Sequence, residues 1–278
     1  MYPQQFSTSS QTICSLSAPV CWYSTLSCDP EDDAEVDTSA AENSLQQGIQ
    51  ACYEKQFDQA LTHFKQALQA YTQAENAVGV GKSLNSLSAV YLELQQYARS
   101  LAYSQASVAI LENTEAIADY ALALHQLGVS HLELQNPEQA ENYLNHALSL
   151  YITLADEVNE DHVVLHLGQL YAQNHEYLFA LAAYESVIDS VLERPAEEST
   201  QILLLDVLHL IVQLSEATHR LDIALTPYHM VLECYTTVDN PEAIAPLFHQ
   251  LGQFYETQER YGLAAACYAQ APPNDSVL

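Results

Sequence analysis

Small and large apolar residues recur in this chain at a nearly fixed step, and that recurrence restricts it to a stack of helix pairs. Gly48, Gly128, Gly168 and Gly252 are each followed, twelve residues on, by Ala60, Ala140, Ala180 and Ala264. Sixteen residues on stand Phe64, Leu144, Tyr184 and Tyr268, and nineteen on stand Ala67, Ala147, Val187 and Ala271. Ser88 and Val212 lead two further copies, and the leads step by 40, 40, 40, 44 and 40. The copy from Asp119 to Tyr151 shows the local logic. Leu124, Leu127, Gly128, His131 and Leu134 share one helical face, and Ala140, Leu144, Ala147 and Leu148 share another. Asn136-Pro137 separates them. Asn136 is expected to cap the second helix, with Pro137 in its first turn and Gln139 as capping-box partner. Gly128 and Ala140 lack bulk, so the two helices approach closely there.

This alternation of small, large and small columns resembles the tetratricopeptide repeat family, whose unit is about 34 residues. The longer step here is similar to the long-helix branch of that family. The family's early Trp position holds Ser44, Leu84, Leu124, Val164, Leu208 and Phe248. Its Tyr at the end of the first helix survives as Tyr91, Tyr171 and Tyr255, and its closing Pro is missing from every copy. The resemblance implies an all-α, right-handed α-solenoid of six helix-turn-helix repeats. Their expected bounds are 41–73, 81–113, 121–153, 161–193, 205–237 and 245–271. They follow a Ser-rich, then acidic, disordered tail (1–40) and precede a short C-terminal tail (272–278).

Charge narrows the function classes. The chain carries 7 Lys plus Arg against 36 Asp plus Glu, a formal −29. Phosphate binding relies on clustered cations, so nucleic acid and anionic membranes are disfavoured and a basic partner fits better. The six cysteines match no zinc or redox spacing, and no secretory signal or membrane-length apolar run is visible. The expectation is a cytoplasmic protein with reduced thiols. Within the tail, Ile13 to Leu26 holds the only Trp, Trp22, and is a candidate for docking on the solenoid.

Irregular places stand out along the repeats. Gly79 and Gly81 read as a break before the second hairpin. Ser100, Ser104 and Ser107 occupy the three second-helix columns of copy two, which predicts a weaker helix and lower local stability. The extra four residues before copy five read as a lengthened surface loop near Glu193 to Glu197, and Pro227 as a kink unless it lies in a first turn. No further helix caps copy six, so self-association through that repeat is a further expectation.

The resemblance also implies that first helices line a concave groove. The inward positions lie three before, one after and four after each lead. They are Leu45, Ile49 and Cys52, then Asn85, Ala89 and Leu92, then His125, Val129 and Leu132. Leu165, Gln169 and Ala172 follow, then His209, Gln213 and Glu216, then His249, Gln253 and Glu256. Ile49, Leu92 and Leu132 are the expected apolar anchors. Asn85, His125, Gln169, His209, Gln213, Glu216, His249, Gln253 and Glu256 are the expected polar contacts. His-x-x-x-Gln-x-x-Glu occurs twice, which suits a ladder for a peptide backbone.

His162 and His166 stand four apart on one helix without an HExxH pattern and read as exposed histidines rather than metal ligands. No phosphate loop, nucleophile elbow or carboxylate pair points to catalysis. The reading is therefore a scaffold, adaptor or assembly factor, not an enzyme, with no cofactor and no metal. It would bind a protein or peptide segment in its groove. A client-specific holdase and a peptide-responsive sensor are the alternatives.

Overall fold

The computed structural model describes residues 38–194, 198–218, 220, 241–257 and 259–270. All the regular structure among them is helical. The helices are α1 (Ser39–Tyr53), α2 (Phe57–Gln73), α3 (Ala77–Glu93), α4 (Tyr97–Leu111), α5 (Ile117–Glu133) and α6 (Pro137–Leu154). Then come α7 (Glu157–Gln173), α8 (Tyr177–Glu193), α9 (Glu198–Thr218), α10 (Pro241–Thr257) and α11 (Tyr261–Gln270). Helices α1–α8 pack as four successive antiparallel pairs, α9 packs on α8 and α10, and α10 pairs with α11, giving a right-handed α-solenoid. The tail to residue 37, with Trp22 and three of the cysteines, lies outside the described residues, as do Pro227 and residues 271–278. First helices α3, α5 and α7 begin at Ala77, Ile117 and Glu157, four residues ahead of the repeat starts 81, 121 and 161 read from the columns.

The repeated columns are the contact surface within each pair. A methyl group on Gly48 would overlap the Phe64 ring, and one on Gly128 would meet Leu144. Gly168 and Gly252 press on Tyr184 and Tyr268 in the same way. Each of these four glycines therefore takes the residue sixteen positions on into the space of its missing side chain. Ala60, Ala140 and Ala180 are fully buried beside these contacts.

The turns between paired helices share one geometry. Lys55, Gln95, Gln135, His175 and Glu259, each seven after its lead, adopt left-handed φ between 56° and 63°. In the first turn Gln56 N–H donates to Ala51 O (2.8 Å) and Lys55 N–H to Cys52 O (2.9 Å). That pairing closes the last carbonyls of the first helix. The same two bonds recur at Gln96 and Gln95, and at Asn136 and Gln135. Pro137 opens α6 as expected, but the Asn136 side chain makes no cap. The Asn136 N–H already closes α5 through His131 O, so the turn is held by backbone bonds.

Two local expectations are corrected. Gly79 and Gly81 do not break the chain; they lie inside α3, where a side chain would collide with Tyr71 and Leu111. The three serines of α4 are fully buried and hydrogen-bonded. Ser100 Oγ meets Ser88 Oγ (2.9 Å) and Ser130 Oγ (2.8 Å), Ser104 donates to Ser100 O (2.9 Å), and Ser107 donates to Gly81 O (3.1 Å). Buried hydroxyls that find partners do not carry the desolvation cost of unsatisfied ones, so α4 is held rather than loosened.

Candidate functional site

The expected groove positions fall into two groups along the solenoid. In the first four repeats most of them are covered. Leu45, Asn85, His125 and Leu165 are buried, as are Cys52, Leu92, Leu132, Val129 and Gln169. Ile49 is half-buried and packs against the core. The cause is contact between successive first helices. Asn85 Nδ2 on α3 donates to Asp119 O at the start of α5 (2.9 Å), and His125 on α5 meets His166 on α7 (3.1 Å). In the first four repeats the position three before the lead is thus the seam between neighbouring repeats. Leu92 and Leu132 are core residues, not surface anchors, and Asn85, His125 and Gln169 build the wall instead of lining an open face.

The last two repeats differ. His209 is exposed and Gln213 half-buried on α9; His249, Gln253 and Glu256 are exposed on α10. The side chain of Glu216 lies outside the described residues. Gln213 Nε2 lies 2.8 Å from His209 Nε2, and Gln253 Nε2 lies 3.1 Å from His249 Nε2. One i,i+4 side-chain pair is therefore repeated on two first helices that pack together. The His249 ring also leans on Tyr268 of α11, with centroids 5.4 Å apart.

A second polar assembly is one the sequence reading missed. On α7, Asn159, His162, His166 and Gln169 form a stripe at helical spacing, and all four are buried. His162 and His166 are therefore not exposed histidines. Burial and the neighbouring His166 push His162 down to about 3; burial pushes His166 down to about 4, against the hydrogen bond its ring donates to the His162 carbonyl. His125 is driven well below the ordinary imidazole value by burial, then by His166 and His162. All three are neutral at neutral pH. The flanking Val163, Val164, Leu165 and Leu167 were the available signal, since a histidine set in an apolar run belongs inside.

Next to this stripe, Arg194 at the end of α8 closes the α7–α8 pair. It bonds Asp161, meets Glu157 at 3.2 Å and reaches Ser190 Oγ at 3.0 Å; Ser190 Oγ in turn donates to Asp161 at 3.1 Å. Burial still pushes Asp161 up to about 6 despite Ser190 and Arg194. Asp119, beside Lys82 at 3.9 Å, is likewise pushed up to about 6 by burial.

Among the described residues no group of three or more His, Cys, Asp or Glu is placed to hold a metal ion. No described helix is long and apolar enough to cross a membrane.

Comparison with known proteins agrees with this architecture. Tetratricopeptide repeat models match residues 37–113, 81–153 and 245–271. No curated protein matches the chain in sequence. Among solved structures, the apo form of RapI is similar, with a TM-score of 0.58 at 14% identity, covering 86% of this chain and 84% of that one. NprR in complex with its cognate peptide NprX gives 0.57 at 11% identity, over 86% of this chain and 68% of that one. Aspartyl phosphate phosphatase F from Bacillus subtilis gives 0.57 at 12% identity; the likeness covers 86% of this chain but only 60% of that one. At these identities the likeness is one of fold. With matched repeat models at both ends and the same columns in the repeats between, the chain belongs to the tetratricopeptide repeat family.

Proposed function

We propose that this protein is a binding scaffold, not an enzyme, and that its last two repeats hold a segment of a partner protein or a peptide. The observation that carries the reading is the repeated pair His209–Gln213 and His249–Gln253, exposed on successive first helices with one geometry. In each pair one imidazole nitrogen engages one atom of the amide. Whichever tautomer holds, the other ring nitrogen and the other amide atom remain as one donor and one acceptor. A peptide backbone offers the complementary acceptor and donor at each residue. Two such rungs suit a segment read by its main chain, with Glu256 beside the second rung.

Charge supports a basic segment. The cations in contact with the solenoid are largely engaged internally: Lys82 with Asp119, Arg99 over the Tyr91 ring, Arg194 with Asp161, Arg260 over the Tyr255 ring. Most of the described carboxylates are exposed, and a surface of that sign accelerates encounter with Lys- or Arg-bearing partners. The NprR structure, with its cognate peptide bound, is the fold likeness that favours a peptide-responsive role over a holdase. Peptide selection against the full chain tests the proposal: selected peptides should be basic, bind more weakly as salt rises, and lose affinity when His209 and His249 are both changed to Ala. Selected peptides indifferent to both salt and the double substitution would remove it.

A further inference from the structure

The apolar core is not continuous along the solenoid. One cluster of buried residues runs from Ala41 to Leu170, and a second from Leu165 to Cys267. They meet on a single helix, α7. Val163, Leu167 and Leu170 join the first cluster, and Leu165 joins the second. Between those two apolar faces runs the buried polar stripe Asn159, His162, His166 and Gln169. The contact of α7 with α5 is made there, through two histidines.

The geometry at that contact fixes where the proton lies. His166 Nδ1 stands 2.6 Å from His162 O and 3.1 Å from His125 Nε2. A carbonyl oxygen only accepts, so His166 Nδ1 carries the hydrogen and His125 Nε2 is a second acceptor for it. A proton added to His125 Nε2 would set two N–H groups against each other in a dry layer. The contact therefore holds only while these rings are neutral.

We propose that this seam is an acid-sensitive hinge: protonation of His125, His162 and His166 in a loosened state separates the α5–α6 pair from the α7–α8 pair and lets the two halves of the solenoid move. The surrounding charges are consistent with it. On α5, Asp119 is held by Lys82; from α6, the Tyr151 ring meets His125 edge-on at 6.2 Å. On α7 and α8, Asp161 is held by Ser190 and Arg194, and both stay with α7 when the seam parts. On α9, Asp206 occupies the position equivalent to His162 and is half-buried. The groups that bear on His125 are His166 and His162, and all three rings are held neutral by burial.

The size of the effect follows from linkage. A buried neutral histidine that regains an ordinary pKa near 6.5 when exposed favours the open state about eight-fold more at pH 5.5 than at pH 7, so three give several hundred-fold and one gives about eight-fold. The chain itself supplies the control. Asn85 and Gln126 stand one repeat of 40 residues before His125 and His166, fill the same buried positions and do not titrate. The double variant His125→Asn/His166→Gln copies them.

Hydrogen exchange on the full chain at pH 7.0 and 5.5, corrected for the intrinsic pH dependence of exchange, tests the hinge. In the native protein, opening of α5–α7 amides should rise at least fifty-fold at pH 5.5, with α1–α3 little changed. The double variant should reduce that rise to about ten-fold or less. Acid-dependent opening spread evenly over α1–α8, or absent, would overturn the proposal from the native protein alone. An unreduced rise in a folded double variant would overturn it as well.

Discussion

Ser88 Oγ lies 2.9 Å from Ser100 Oγ, at the level where four other repeats set a glycine against a large side chain. In this repeat the lead has gained an oxygen and the residue sixteen on, Ser104, has lost its bulk. The two changes compensate in volume, and both hydroxyls find partners. Ser104→Leu, which restores the usual column, should therefore destabilise by about 1–3 kcal/mol through overpacking. Ser88→Gly in the same chain should recover much of that loss. A double-mutant cycle from urea unfolding measures the coupling, expected to favour the pair by about 1 kcal/mol or more.

The glycine columns give a prediction whose sign is diagnostic. In an exposed helix Gly→Ala stabilises by about 1 kcal/mol. At Gly168 the new methyl would overlap the Tyr184 ring, which is fully buried and cannot swing away. Gly168→Ala should lower stability by about 1–2 kcal/mol net, as overpacking outweighs propensity. Thermal melts suffice to check it; a rise in Tm would contradict the packing described.

The buried histidines should not titrate in the ordinary range while the fold is intact. With His162 at about 3 and His166 at about 4, their imidazole resonances should stay at the neutral position from pH 8 to 5.5. Since both values lie below the unfolded one, their contribution to stability is full above pH 6.5. It drains away as pH falls toward 4. Imidazole NMR of the full chain reads this directly, and a midpoint near 6.5 for either residue would refute their burial.

Arg194 and Asp161 make the opposite pH prediction. Arg194→Ala leaves a buried carboxylate with Ser190 alone, at a cost of about 2–3 kcal/mol at pH 7.5. Asp161 already has a folded pKa near 6, above the ordinary value, and losing the guanidinium raises it further. Below that pH the carboxyl is neutral and no longer requires the cation. The destabilisation should therefore shrink at pH 5, as paired denaturation curves at the two pH values would reveal.

Packing within a helix pair was legible in the sequence and packing between pairs was not. Gly48 with Phe64 and Gly168 with Tyr184 are visible because one column needs absence of bulk exactly where another supplies it, and the chain repeats the statement. The seam between first helices carries no such rule: Asn85, His125 and Leu165 occupy one position with three chemistries. Reading that stripe as an open groove failed because the following first helix covers it in repeats two and three. His162 and His166 were misplaced for the same reason. The left-handed turns at Lys55, Gln95 and Gln135 were hidden too, since backbone bonds hold them without glycine.

The most direct test of the account is the affinity of a selected peptide for the full chain, with and without its rungs. A peptide taken from a random library on the native protein would be titrated by fluorescence anisotropy against native protein and against the His209→Ala/His249→Ala variant. Each rung contributes about 1 kcal/mol or slightly more through its hydrogen bonds, so the variant should bind at least ten-fold more weakly with an unchanged melting temperature. Equal affinity for both proteins would contradict the central claim that these two exposed pairs hold the partner segment.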